Sequence, residues 1–185
     1  MPDSTIIRLF WERKEEAITQ MSEKYGHLCL HTARNIVGNQ EDAEECVNES
    51  YYRIWNVIPP QKPNPLLGFL LKIVRNISIN RYHYNTAQRR SSSYDVCLEE
   101  LSYCVPAKDT VESEYDVKQL ATALDTFLDS LGETDRMLFV RRYWYMDSFE
   151  SLSSLSGMKE GALRTRLFRI RTALKKFLQE RGVPV

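Results

Sequence analysis

The stretch SFESLSSLSGMKEGALRTRLFRIR, residues 148–171, spaces its residues as two short helices joined by a tight turn. Phe149, Leu152 and Leu155 put one apolar face on a first helix, and Gly157 lies where such a turn needs a positive φ. Beyond the turn, apolar residues recur at helical spacing, so the second helix has one side to bury. The pattern is typical of a helix-turn-helix. The residues expected on the buried side are Leu163, Leu167, Ile170 and Leu174.

The outward face of that second helix combines small residues with cations and a hydroxyl. Small residues permit close approach to a groove, while cations and hydroxyls reach phosphates and base edges. We therefore expect this face to read duplex DNA, whereas a solvated basic helix is the alternative for an isolated motif of this kind. The outward residues are Gly161, Ala162, Arg164, Thr165, Phe168 and Arg169.

Composition allows one larger or two small domains, because 185 residues with 43% hydrophobic and 11% aromatic content suffice for packed cores. The formal net charge of zero conceals a segregation of charge along the chain. Acids dominate residues 41–49 and 95–116, whereas bases dominate residues 72–90 and 159–181. No Asp or Glu occurs in residues 68–94, so a second basic surface is expected there.

Neither a leader-like N-terminus nor an apolar run of about 20 residues is found, which favours a cytoplasmic protein. The four cysteines, Cys29, Cys46, Cys97 and Cys104, show no CxxC spacing, so reduced thiols are expected. Cys97 and Cys104 lie in a polar stretch, where a redox-sensitive pair is the alternative.

Apolar residues recur at intervals of three and four through most of the chain, which predicts an all-α fold. The stretch after residue 88 is Ser-rich, then acidic, and lacks sustained apolar periodicity. We therefore expect two small helical domains, residues 1–88 and 115–185, joined by a flexible acidic linker over residues 89–114.

Glu23, His27 and His31 recur at four-residue spacing and could offer a metal two imidazoles and a carboxylate. No fourth ligand, matching acid or nucleophile accompanies them, and the sequence contains no Gly-rich phosphate loop, GxSxG or HExxH. A hydrated helix face is therefore the preferred interpretation. We expect no metal, no cofactor and no intrinsic enzyme activity.

Two blocks, which together cover most of the chain, carry a family resemblance. The first contains YGHLCLHTARNIVGNQEDAEECVNESYYRIW (residues 25–55) and PLLGFLLKIVRNISINRYH (65–83). The second contains LDSLGETDRMLFVRRYW (128–144) and continues through SFESLSSLSGMKEGALRTRLFRIRTALKKFL (148–178). These blocks resemble regions 2 and 4 of the sigma factors of bacterial RNA polymerase, specifically the small two-domain extracytoplasmic-function group.

The resemblance implies that the first domain has two binding surfaces. One is an acidic helix face that docks on the coiled coil of the polymerase clamp, where carboxylates can pair with arginines. The other captures the unpaired minus-ten promoter strand with cations and with polar or flat groups. The docking residues are Asp42, Glu45, Asn48 and Glu49, and the strand-binding residues are Lys72, Arg75, Asn76, Asn80, Arg81 and Tyr82.

For the second domain, the resemblance implies recognition of the minus-thirty-five element in the major groove by the helix that starts near Lys159. Arg164, Thr165, Phe168 and Arg169 are expected at base edges, and Arg166 and Arg171 at phosphates. Gly161 and Ala162 allow the helix to approach the groove closely.

Two features depart from the family pattern. Ser151 and Ser153 stand where the family usually has Glu and Ala, so Ser148 lacks a capping-box partner. Lys159 replaces the usual Ser or Thr, which forfeits an N-cap worth about 1 kcal/mol while adding a cation near phosphates.

The resemblance also implies partners: core RNA polymerase, promoter DNA and a membrane-anchored anti-sigma factor. A stand-alone helix-turn-helix regulator that binds duplex DNA is the alternative, although it leaves the acidic face and the first basic surface without a task. The acids of the linker resemble the family's connector through polymerase, and a merely solvated tether is the alternative. These acids are Asp95, Glu99, Glu100, Asp109 and Glu112.

Overall fold

The structure is a computed structural model that describes residues 1–85, 93–106 and 114–183. Within these ranges the regular secondary structure is entirely α-helical, which confirms the all-α prediction. The helices are α1 (Asp3–Trp11), α2 (Glu16–Val37), α3 (Gln40–Val57), α4 (Leu66–Asn85), α5 (Ser93–Ser102), α6 (Glu114–Ser130), α7 (Glu133–Tyr143), α8 (Phe149–Ser156) and α9 (Glu160–Gln179).

The chain divides into two compact units, Met1–Ser92 and Ser93–Val185. The second unit begins within the predicted linker, because residues 93–102 form helix α5. Tyr94, Cys97 and Cys104 are buried on one side of this segment, so its interpretation as a flexible tether is wrong there. The exact boundary at residues 88 and 89, and the linker acids Asp109 and Glu112, lie outside the described residues.

The first unit is built on mutual packing of α2, α3 and α4, with α1 against α2. Its core contains Phe10, Met21, Ile54 and Leu70, all fully buried. These interior positions follow the helical spacing that a half-buried helix requires.

A glycine that ends α2 is followed directly by a polar residue that caps α3. Gly38 ends α2 in the left-handed region, with φ of 83°. The Asn39 side chain accepts a hydrogen bond from the Asp42 backbone N–H at 2.8 Å, which caps the start of α3.

In the second unit, α7 and α8 pack on α9 and on each other. All four predicted interior residues of α9 are buried, which confirms the spacing argument. Phe149 and Leu152 of α8 are also buried, but Leu155 is 54% exposed, so its predicted place on the apolar face is wrong. Six residues at about 100° each carry Leu155 roughly 120° around the helix from Phe149.

Serine hydroxyls brace the turn between α8 and α9. Ser153 Oγ donates to the Met158 carbonyl at 2.7 Å, and Ser156 Oγ accepts from the Met158 N–H at 3.3 Å. Ser148 caps α8 by accepting from the Ser151 N–H at 3.1 Å. Lys159 makes no side-chain cap to α9, as expected for a lysine at that position.

The four cysteines are buried and free. Cys97 Sγ donates to the Arg142 carbonyl and Cys104 Sγ to the Leu101 carbonyl, each at 3.3 Å. Burial raises the pKa of the Cys104 thiol to about 11. The two thiols are thus held by backbone carbonyls rather than by each other. No helix in the described ranges has the length and apolar character needed to cross a bilayer.

Gly157→Ala should destabilise the protein by about 1 kcal/mol, because Gly157 has φ of 71° and a Cβ disfavours that region. The matched control is Gly161→Ala, since Gly161 lies within α9 and a Cβ there meets nothing within 4 Å. That control should be neutral or stabilising by up to about 1 kcal/mol. Urea unfolding followed by circular dichroism measures both changes. Equal losses in the two variants would contradict the assignment of the turn.

Candidate functional site

The predicted docking residues lie along one face of α3. Asp42 is half-buried, while Glu45, Asn48 and Glu49 are exposed. Their spacing of three, three and one places them on one side of the helix. This face therefore presents carboxylates and an amide outward from the first unit.

Two of these carboxylates form an interhelix cluster with α4, which we define as Asp42, Glu45, Arg81 and Asn85. Arg81 Nη2 lies 2.5 Å from Glu45 Oε1, and Arg81 Nη1 lies 3.7 Å from Asp42 Oδ1. Asn85 Nδ2 donates to Asp42 Oδ2 at 2.9 Å. The hydrogen bond that Arg81 donates to the Glu45 carboxylate raises the pKa of Arg81. The structure thus joins residues that the sequence analysis placed on two separate surfaces.

The outward side of α4 is a polar stripe with a four-residue repeat. Lys72, Asn76 and Asn80 are exposed, as their predicted role in strand binding requires. Tyr84 continues the repeat and is 85% exposed. Tyr84 is not among the predicted strand-binding residues, although the four-residue spacing of Lys72, Asn76 and Asn80 extends to it.

Two other residues predicted for strand binding are less accessible. Tyr82 is only 7% exposed, so the prediction that it presents a flat face to a base is wrong. Position 82 falls on the inward side of α4, close to the buried Ser78. Arg75 is half-buried.

The outward face of α9 is accessible as predicted. Arg164 is held in place by two neighbours: its guanidinium lies 4.1 Å from the Phe149 ring centroid and 3.3 Å from Glu160. Phe168 is 61% exposed. The exposed members of this face are Lys159, Gly161, Ala162, Arg164, Thr165, Phe168 and Arg169.

The two arginines predicted to bind phosphates are engaged within the second unit. Arg166 Nε pairs with Asp135 of α7. Arg171 Nη1 hydrogen-bonds to the Tyr143 hydroxyl and lies 3.4 Å from Glu100 Oε2, and its side chain is 16% exposed. The structure therefore places Arg171 in the packing of the unit, whereas the sequence analysis placed it on the flank of the reading helix.

Arg171 belongs to a larger, partly buried group that the sequence did not predict. We define the Arg142 cluster as Arg142, Glu100, Tyr143 and Arg171. The Arg142 side chain is 3% exposed and binds both Glu100 oxygens, at 2.8 and 3.2 Å. Its Nη1 donates to the Asp147 carbonyl at 2.7 Å. The cluster thus ties α5 and α7 to α9 and to the segment that leads into α8.

The titration of Glu100 follows from this environment. Burial alone would raise its pKa, but the hydrogen bonds and charge of Arg142, with the Tyr143 hydroxyl, lower the pKa below its ordinary value of 4.5. Tyr143 shifts the other way, since burial and the Glu100 charge raise its pKa.

The Glu23, His27 and His31 group has no support as a metal site. Within the described residues, no three His, Cys, Asp or Glu side chains are arranged to hold an ion. His31 Nε2 lies 3.2 Å from Asn35 Nδ2.

The chain is similar in sequence to known proteins. Residues 21–89, which include the α3 face and the α4 stripe, match the family described as Sigma-70 region 2. The chain is also similar to the ECF RNA polymerase sigma factor SigE of Mycolicibacterium smegmatis, with 28% identity over 165 residues. That match covers 89% of this chain and 61% of the relative, so the chain spans about three fifths of the relative's length. Among solved structures, CnrH in complex with the cytosolic domain of CnrY gives a TM-score of 0.45 at 17% identity, covering 96% of this chain and 97% of that one.

The first unit therefore carries a sigma-70 region 2. Most of the chain is also similar to a sigma factor of the extracytoplasmic-function group.

Glu100→Ala should destabilise the second unit by about 3 kcal/mol, because it leaves the buried Arg142 charge without its carboxylate. Glu99→Ala is the matched control: Glu99 is exposed on the same helix, and its loss should change stability by less than about 0.5 kcal/mol. Urea midpoints of the two variants give the comparison. Similar small losses in both would contradict the role of the Arg142 cluster.

Acidification should lower the folding stability of the wild-type protein more than that of the Glu100→Gln variant. A carboxyl whose pKa is lowered on folding contributes stability above its unfolded pKa, and this contribution disappears as the pH falls through the folded value. The wild type should therefore be more stable than the variant at neutral pH, and this difference in stability should shrink below a pH near 4.5. Thermal unfolding over a pH series measures it. A pH-independent difference would show that Glu100 does not titrate against Arg142.

Proposed function

We propose that this chain is a sigma factor that binds core RNA polymerase, recognises a promoter, opens it and starts transcription. The observation that carries the proposal is the region 2 match over residues 21–89, which spans both the acidic α3 face and the polar α4 stripe. A stand-alone regulator needs neither surface.

The α3 face suits docking on a basic partner. Glu45, Asn48 and Glu49 are exposed, and they offer two carboxylates and an amide to arginines of the polymerase clamp. Charge complementarity of this kind directs encounter and orientation more than it adds affinity.

The α4 stripe suits an unpaired strand. Lys72 can attract the backbone, Asn76 and Asn80 can hydrogen-bond base edges, and Tyr84 offers an aromatic face for stacking. Stacking on an aromatic ring contributes about 1 to 3 kcal/mol per base. Contacts of that size can offset the few kcal/mol needed to extrude bases from a duplex, so opening needs no nucleotide hydrolysis.

The outward face of α9 suits the minus-thirty-five element. Arg164 and Arg169 are exposed for base edges, while Gly161 and Ala162 leave room for the groove wall. Arg166 remains a phosphate candidate at the edge of this face, whereas Arg171 is assigned to internal packing.

Other parts of the proposal rest on the family alone. The protein would work in the cytoplasm, where bacterial polymerase works, and a membrane-anchored anti-sigma factor would hold it inactive. It would catalyse no reaction of its own, because RNA synthesis belongs to the polymerase.

Mixing the full chain with core polymerase tests the proposal. We expect one co-eluting complex and transcripts that require promoter DNA. Failure of both, together with tight binding of the free chain to a palindromic duplex, would instead favour the regulator.

Arg169→Ala should relax discrimination at one position of the minus-thirty-five element, since a good bidentate base contact contributes about 1 to 3 kcal/mol. The matched control is Lys176→Ala, an exposed cation two turns further along α9. Binding of the reconstituted complex to duplexes with single base changes gives the readout. A uniform loss over all duplexes would mark a phosphate contact and contradict the base-edge role.

A further inference from the structure

The interhelix cluster connects the surface proposed for polymerase with the helix proposed for DNA. Arg81 is the cation of this cluster, and its side chain is 26% exposed. It lies between Glu45, whose side chain is 60% exposed, and Asp42, whose side chain is 22% exposed. One arginine therefore faces two carboxylates at the boundary of the two surfaces.

The two carboxylates are held differently. Asp42 also accepts hydrogen bonds from Asn39 at 2.6 Å and from Asn85 at 2.9 Å, so it is fixed by neighbours on both sides. Glu45 projects further into solvent. An approaching cation can therefore replace Arg81 as the partner of Glu45 more readily than as the partner of Asp42.

In the free chain, Arg81, Glu45 and Asp42 already have partners of opposite charge. A guanidinium that is neutralised by two carboxylates attracts a phosphate less than one that has no such partners. In the same way, a carboxylate that is paired with Arg81 attracts a cationic partner less. Binding at either surface then competes with the same internal pairs.

We propose that the Arg81 pairs with Glu45 and Asp42 couple polymerase docking to capture of the unpaired strand. In the free chain they hold Arg81 away from the DNA backbone. A clamp arginine that takes Glu45 releases Arg81 to bind a phosphate. This coupling rests on the proposed function of the α3 face and the α4 stripe.

Single-strand binding is tested with the full chain, without polymerase, and a fluorescein-labelled oligothymidine. This probe supplies the phosphate backbone that Arg81 is proposed to bind. Glu45→Gln should tighten binding about two- to fivefold, the scale of one exposed ion pair. Glu41→Gln is the matched control, because it removes the same charge from an exposed position of α3 that makes no ion pair with Arg81. It should change binding much less. Fluorescence anisotropy at fixed salt gives both affinities.

A double substitution separates the ion pair from general charge effects. In an Arg81→Ala background, Glu45→Gln should no longer tighten binding, because no guanidinium remains to be released. Equal gains from Glu45→Gln and Glu41→Gln, or a gain that persists without Arg81, would overturn the proposal. Far-ultraviolet circular dichroism checks that each variant is folded.

The polymerase side follows from the same competition. Arg81→Ala should tighten binding of the chain to core polymerase about two- to fivefold, because Glu45 is then unpaired before docking. Weaker or unchanged binding would contradict the coupling. If the wild type fails to bind core polymerase, the proposed function fails, whereas a negative oligothymidine experiment with normal polymerase binding removes only the coupling.

Discussion

The second unit depends on the pairing of a buried cation, Arg142. Its side chain is 3% exposed, and a buried cation is tolerated only when its charge and donors are satisfied. Glu100 supplies both carboxylate oxygens, and the Asp147 carbonyl accepts from the remaining terminal nitrogen. The guanidinium also lies 4.4 Å from the Phe149 ring centroid, at the start of α8. The position of α8 and α9 therefore depends on α5 as well as on the apolar contacts of α9.

The first unit uses ion pairs for a different purpose. Glu45 and Arg81 are partly exposed, and such pairs contribute little to stability because water and salt compete with them. For the same reason, they can be exchanged for contacts with a partner at low cost. The Arg142 pairs in the second unit are thus shielded from water, whereas the Arg81 pairs in the first unit are partly open to solvent.

The sequence was most informative where apolar spacing runs over several turns. The interior residues of α9 were predicted correctly because five turns of helix repeat one pattern. Helix α5 was missed because ten residues give little periodicity, and its buried positions include Cys97 and the polar Tyr94. The acidic residues of this segment also favoured a flexible tether, although one of them, Glu100, forms an ion pair with Arg142 inside the unit.

The limits at the site have a similar cause. Composition identified α4 as cationic and polar, but it could not show which tyrosine faces inward. In the structure Tyr82 is buried and Tyr84 is exposed. Likewise, the sequence marks Arg171 as a cation beside the outward face of α9, whereas only the fold shows that the Tyr143 hydroxyl and the Glu100 carboxylate contact it. Long-range pairing of charges is what local sequence cannot supply.

The most direct measurement is reconstituted transcription with core polymerase over a randomised promoter library. The account predicts two separate enriched sequence blocks upstream of each start, one read as duplex by α9 and one captured as a single strand at α4. Starts without sequence preference, or a single palindromic block bound in the absence of polymerase, would contradict it.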